Sequence, residues 1–548
     1  LLDKGYRHYK VLFQKDKTPV QQDFHDLDAL TRQCNLSRCF LTSAGSFSRL
    51  TSASLPAFIE MLRNYNQLKS SFSHKKYQII ENDIKQRYFM KNSITEKLQQ
   101  TIASYKDQID YLEIRVEQSE STSISFRGPQ LDSVDRSLGL AGGIRACHQG
   151  GWSFVTFNGL EELPERVAEA ISQAKIVGKE STMLAPTEKI EDYVAVNLQK
   201  DPRSVSLKEK RELMENYNKL LLEYDPRIQT TMVSLSDRFG TTYFVNSVGS
   251  CIVQERLDVN GRFGVIAKGE NGVIRQGFES VHSRNDFNVL VGIEDRVLSA
   301  AERAIRQLEA KPVKGGQYTV VLDPYLSGVF IHEAFGHLSE ADFVYENPRM
   351  QELLTLGKPL GIEKLNVIDD ATLPDLPGTI KYDDEGVPGQ RKYLIKNGIL
   401  TQRLHSRETA GKMNELPTGN ARAIRASSPP IVRMTNTALE PGDTSFEDMI
   451  RDIEEGVYAV RMLGGQTNGE MFTFAAAEGY MIRNGQIAEP VSDVTLSGNV
   501  FQTLKDIEAI GNDTLYTNGG CGKGGQMPLP VSVGGPHVRI KNVVVGGR

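Results

Sequence analysis

The chain reads as an α+β protein, with a mixed α/β N-terminal domain over residues 90–312 and a strand-rich C-terminal domain over residues 313–548. Three observations point there. Segments with helical spacing alternate with segments of period 2, which calls for both element types in one fold. No G-x-G-x-x-G turn joins a strand to a helix in a βαβ unit, and Gly522-Lys523-Gly524 lacks the spacing and the Ser/Thr of a phosphate loop, so the dinucleotide- and phosphate-binding parallel-sheet classes fall away. Lys311-Pro312-Val313-Lys314-Gly315-Gly316 interrupts the pattern and marks the boundary between the two domains.

Composition narrows the function classes. The 548 residues carry 64 Lys+Arg against 69 Asp+Glu, a formal charge of −5, so there is no global basic field for nucleic acid or an anionic membrane. Cys34, Cys39, Cys147, Cys251 and Cys521 are too few and too scattered for a disulfide framework, which suits a reducing cytoplasm. No apolar run approaches the roughly 18 residues of a spanning helix. Residues 1–89 differ from the rest: they hold two of the 48 glycines and 14 Lys+Arg against 8 Asp+Glu. Met90-Lys91-Asn92-Ser93 reads like a fresh N-terminus, so residues 1–89 are expected to be a leader outside the functional fold. Cys34 and Cys39 have no second pair at metal-ligand spacing and are set aside as a zinc site.

From Ile94 to Lys106 the spacing predicts a helix. Leu112, Ile114 and Val116 alternate with Glu113, Arg115 and Glu117, the signature of a strand with one wet face. Strands are expected at 121–126, 143–148 and 152–157, with Gly150-Gly151 as a hairpin signal between the last two. Cys147 and His148, adjacent on a strand, point to opposite faces and read as structural. Val167, Ala170, Ile171 and Ala174 recur at helical spacing within 161–175, and further helices are expected at 206–223 and 293–310, with strands from about 230 to 266 between them. The second half opens with a buried-type strand, Tyr318 to Leu322. Asp323-Pro324 follows it, an N-cap and a first-turn proline that start a helix running to about Glu340. Glycine-, Asn- and Asp-rich strand and turn segments complete the chain, ending in 531–545.

That helix carries His332-Glu333-Ala334-Phe335-Gly336-His337. H-E-x-x-H places two imidazoles on one helical face beside a general base. Here the spacing is one residue longer, and five steps of about 100° leave the rings about 140° apart on a regular helix. A π-bulge would restore a common face, and Gly336 would ease that distortion. Val329, Phe330, Ile331, Ala334 and Phe335 make the helix apolar on most sides, so it should be buried, and buried imidazoles need partners. A catalytic zinc site needs a third protein ligand. Glu340 and Asp342 follow closely, yet read as a solvated helix end; Cys521, framed by glycines, is either a distant ligand or a small buried hydrophobe.

The segment Val329 to His337 resembles the metal helix of the TldD/PmbA peptidases, TldD branch. Other stretches agree in order: Gly143 to Ala146, Tyr382 to Pro388, Leu394 to Gly398, Pro417 to Asn420, Arg433 to Thr437, Ile510 to Asp513, and Cys521-Gly522-Lys523. The resemblance spans about Met90 to Arg548. It implies a TldD/PmbA-like fold and a cytoplasmic zinc metallopeptidase in which His332, His337 and Cys521 hold Zn2+ and Glu333 is the general base. It further implies a heterodimer with a PmbA-type (TldE) subunit, a second copy of this chain being the other possibility. The implied substrates are unfolded or partly degraded peptides and ribosomally made peptides awaiting maturation, with no direct role for nucleic acid or membrane. The rival it carries is a non-catalytic modulator of DNA gyrase. The many Gly-flanked strands between 381 and 545 suggest that substrate lies extended along a sheet edge.

Overall fold

The computed structural model describes residues 93–546; the expected leader at 1–89, with Cys34 and Cys39, lies outside the described residues. A helix over 93–105 (α1) leads into β1 (Tyr111–Arg127), β2 (Gln130–His148), β3 (Gly151–Phe157), α2 (Leu163–Val177), β4 (Glu191–Val194), α3 (Leu207–Glu223), β5 (Ile228–Asn246), β6 (Cys251–Lys268), β7 (Ile274–Ser283) and α4 (Glu294–Gln307). The strands form one seven-stranded sheet in the order β3-β2-β1-β5-β6-β4, with β7 also on β6. The β2–β3 turn is Gln149-Gly150, both at positive φ, as a two-residue hairpin loop requires. Strands are longer than the sequence pattern suggests. β1 is continuous through 117–121, where polar residues break the alternation, because it pairs with β2 on one side and β5 on the other along that whole stretch.

One face of this sheet is apolar. Leu112, Ile114, Val116 and Ile124 of β1 are fully buried. Leu98 of α1 and Val167 and Ala174 of α2 join the first three in one core, and Met214 of α3 and Val297 and Ala304 of α4 join Ile124 in another. The other face is not wet near Glu113 and Arg115, contrary to expectation: both residues are 1 % exposed. The C-terminal half covers them. Arg145 on β2 reaches Glu113 at 3.2 Å and Glu385 at 2.8 Å, and Arg115 pairs with Asp384 at 3.0 Å. Period 2 identified the polar face; what lies against it was a long-range matter.

The C-terminal half contains a six-stranded and an eight-stranded sheet. The strand Gly316–Leu322 (β8) belongs to the latter and runs parallel to β9 (Glu455–Asn468). The six-stranded sheet ends in β10 (Leu515–Lys523), antiparallel to β11 (Gln526–Gly535). Helix α5 (Pro324–Ile331) packs between the two sheets. Phe330 meets Phe472 edge-on at 5.4 Å on the eight-stranded side. On the other side Gly328 lies so close to β11 that a Cβ there would stand 2.9 Å from the Gly534 nitrogen. Among the described residues no helix is long and apolar enough to cross a membrane.

Candidate metal centre

The start of α5 follows the sequence: Asp323 accepts from the Leu326 N–H at 2.8 Å and Pro324 opens the helix. Past Ile331 the turn widens. The His337 N–H donates to the His332 carbonyl five residues back, making 332–336 a single π-turn. The added residue brings the two imidazoles together, centroids 5.3 Å apart and planes at 82°. Gly336 has a different reason from the one expected. Its φ of −53° and ψ of −51° suit any residue, but a Cβ would stand 2.1 Å from the Met434 sulfur. Glycine is required by close approach.

Cys521 arrives on β10 between Gly520 and Gly522, where the pairing with β11 slips by one residue. Its Sγ lies 3.4 Å from His337 Nε2, and ligand atoms of His332, His337 and Cys521 all fall within 4.8 Å of one another. His332 and Cys521 are buried, and among the described residues Nδ1 of His332 has no hydrogen-bond partner. Glu333, half-exposed, places Oε2 3.8 Å from the same His337 Nε2 that faces the thiol.

Glu340 is neither a solvated helix end nor a member of the ligand cluster. It is 1 % exposed and its Oε2 lies 3.1 Å from His337 Nδ1, which turns the other ring nitrogen toward Cys521. Lys523 holds the far side: its Nζ is 2.9 Å from Glu340 Oε2, 2.7 Å from Asp342 Oδ1 and 3.0 Å from the Val432 carbonyl. Asp342 is thus a counter-charge to Lys523. Burial opposes charge on Cys521, yet the neighbouring His332 and His337 hold its thiol down to about 4. Burial likewise opposes a proton on His337, while Glu340 and Cys521 raise it to about 11. Both shifts describe one feature, a pair of anionic groups that draw a cation between them. A thiolate, two imidazoles and a carboxylate behind one of them suit zinc, and the open side is where Glu333 stands.

Models of the PmbA/TldA metallopeptidases match most of the chain: domain 1 at residues 112–176, the central domain at 200–311 and the C-terminal domain at 315–547. The chain belongs to the TldD/PmbA family. A metalloprotease of Synechocystis sp. is 48% identical over 457 residues, covering 83% of this chain and 98% of its own length. A zinc metalloprotease TldD homolog of Saccharolobus solfataricus is 42% identical over 249 residues, 45% of this chain and 55% of that protein. TldE of Thermococcus kodakarensis shares the fold with a TM-score of 0.69 at 18% identity, covering 82% of this chain and 100% of that one. A Thermotoga maritima protein described as a putative modulator of a DNA gyrase does so with a TM-score of 0.67 at 23% identity, over 82% and 99%. This TldD/PmbA protein is therefore a metallopeptidase by family.

Sequence reasoning missed two things. Lys523, though within the Cys-Gly-Lys stretch, gave no sign that it locks Glu340. A cavity of about 1030 Å³ between the seven-stranded sheet and the C-terminal half, with Gly519 and Gly520 of β10 in its wall, left no local trace because its residues come from distant segments.

Proposed function

We propose that this chain is a zinc-dependent peptidase, with His332, His337 and Cys521 as the metal ligands and Glu333 as the general base. The observation that supports it most is the gathering of those three ligand atoms within 4.8 Å with the Glu333 carboxylate beside them. Zinc in such a site supplies Lewis acidity, lowering the pKa of water and polarising a carbonyl. Glu333 takes the proton of the attacking water on its carboxylate and delivers it to the leaving amine nitrogen. Glu340 keeps His337 turned toward the metal. The substrates are unfolded or partly degraded peptides, including ribosomally made peptides awaiting maturation, and the protein acts in the cytoplasm, in complex with a TldE-type subunit or a second copy of this chain. The residues 90–312 and 313–548 serve as the two domains. A gyrase-modulating role is suggested by the descriptions of the Thermotoga maritima protein and of a Bacteroides thetaiotaomicron protein at 20% identity, and a base beside three ligands has no use in it. Digestion of an unstructured peptide with and without a chelator, partner subunit present, tests the reading: chelator-sensitive cleavage is expected, and chelator-insensitive or absent cleavage refutes it.

A further inference from the structure

The large cavity contains a corner where three arginines are gathered and only one of them, Arg256, has a carboxylate partner. Arg256 and Arg284 each donate to the Pro377 carbonyl at 3.2 Å, so their guanidinium groups share one oxygen. Arg284 donates also to the Thr379 carbonyl. Arg422, 2 % exposed, donates to the carbonyls of Met434 at 2.5 Å and Pro530 at 2.8 Å. All three line the cavity. Among the described residues neither Arg284 nor Arg422 forms an ion pair. The acids nearby have nearer partners, although Asp258 and Asp375 also act on Arg284 through space. Asp258 binds Arg256 at 2.6 Å and His282 at 3.2 Å, Asp384 pairs with Arg115, and Asp375 accepts from Asn285. Burial first, and then the neighbouring Arg256 and Arg422, depress Arg284 to about 9.

Backbone carbonyls fix the direction of a guanidinium without neutralising it. Cations so fixed at a cavity wall are preorganised for an anion, and a carboxylate matches the planar fork of Arg. The corner is tied to the metal centre: Pro530, which accepts from Arg422, pairs with Gly520, the register position beside Cys521 and Leu529. Among ligands a peptidase meets, a carboxylate comes from the chain's C-terminus or from an Asp or Glu side chain.

We propose that Arg256, Arg284 and Arg422 form a carboxylate-binding subsite of the peptide cavity, next to the metal strand, which selects substrates by an anionic group near the cleaved bond. The proposal rests on the peptidase reading and names the substrate class within it.

The test measures binding and cleavage separately. A fluorescent unstructured peptide is prepared as the free acid, as the C-terminal amide, and with its internal Asp and Glu replaced by Asn and Gln. Binding is measured by anisotropy to the full chain carrying Glu333→Gln, zinc and partner subunit present, with and without Arg284→Gln. One of the two neutral peptides should bind at least about tenfold more weakly than the parent, as expected for loss of a charge-assisted bond. Arg284→Gln should abolish that difference, and Arg422→Gln, where circular dichroism shows it folded, should do the same. The neutral peptide that weakens tells whether the terminal or a side-chain carboxylate is read. Equal binding of all three peptides, absence of binding, or a difference that survives Arg284→Gln overturns the subsite. Cleavage by the wild-type protein is followed in parallel. Carboxylate-dependent binding without cleavage sinks the peptidase reading alone, and cleavage with carboxylate-independent binding sinks the subsite alone.

Discussion

Two of the buried clusters of ionisable groups among the described residues differ in how completely the protein satisfies them. In the first, Glu113 accepts from Tyr111 at 2.8 Å and from Arg145 at 3.2 Å, while Glu385 accepts from Arg145 at 2.8 Å and from the Arg407 N–H at 2.7 Å. Arg145 also lies over Trp152, its Cζ 4.1 Å from the ring centre. Both carboxylates and the guanidinium are matched within the protein, and the cluster fastens the seven-stranded sheet to the loop at 383–385. In the second, His332 keeps an unpartnered Nδ1, His337 and Cys521 face each other at 3.4 Å, and Glu333 is half-open. Burial and charge are common to both. An unpartnered ring nitrogen beside a thiol, with a half-open carboxylate next to it, belongs to the candidate metal centre and not to the Glu113–Arg145–Glu385 cluster, and that is what a ligand requires.

The comparison breaks at several points in turn. His332→Ala should remove both bound zinc and peptide cleavage, with zinc counted by atomic emission, and Cys521→Ala should leave zinc below stoichiometric; full zinc in the Cys521 variant would return the third-ligand role to another residue. Glu333→Gln should keep zinc and lower kcat by about 10²–10⁴, the usual worth of a general base. Arg145→Met belongs to the satisfied cluster: it should destabilise the fold by about 3–5 kcal/mol by leaving Glu113 and Glu385 buried without their cation, seen in chemical denaturation, with zinc content of the folded protein unchanged. Glu340→Gln has the smallest expected effect, a zinc affinity lower by about 10–100-fold in competition titration, because a neutral amide orients His337 but does not raise its basicity. Arg145→Met that lost zinc while still folded would join the two clusters into one unit.

Local signals were legible where local geometry controls the outcome. The Asp323-Pro324 start, the apolar stripes of α2 and the need for a π-turn between His332 and His337 all follow from residues within a few positions of each other. The extent of β1 and β2 was less so, since polar residues such as Ser119 and Glu120 remain in the strand only because neighbours on both sides complete their backbone hydrogen bonds. Glu340 misled for a related reason: a carboxylate after a helix is usually solvated, and only the return of Lys523 on β10 buries it with a counter-charge.

By itself the sequence determined the α+β class, the helix carrying His332 and His337 with its irregular turn, and through its ordered motifs the TldD/PmbA family. Tertiary structure decided which of several candidates completes the cluster. Cys521 lies 184 residues beyond His337, and its place beside the imidazoles depends on the wedging of α5 between two sheets. It also decided that the polar face of β1 is covered by the C-terminal half and that Arg256, Arg284 and Arg422 share one corner. Those arrangements depend on contacts between segments far apart in the chain, which no periodicity within one segment can encode.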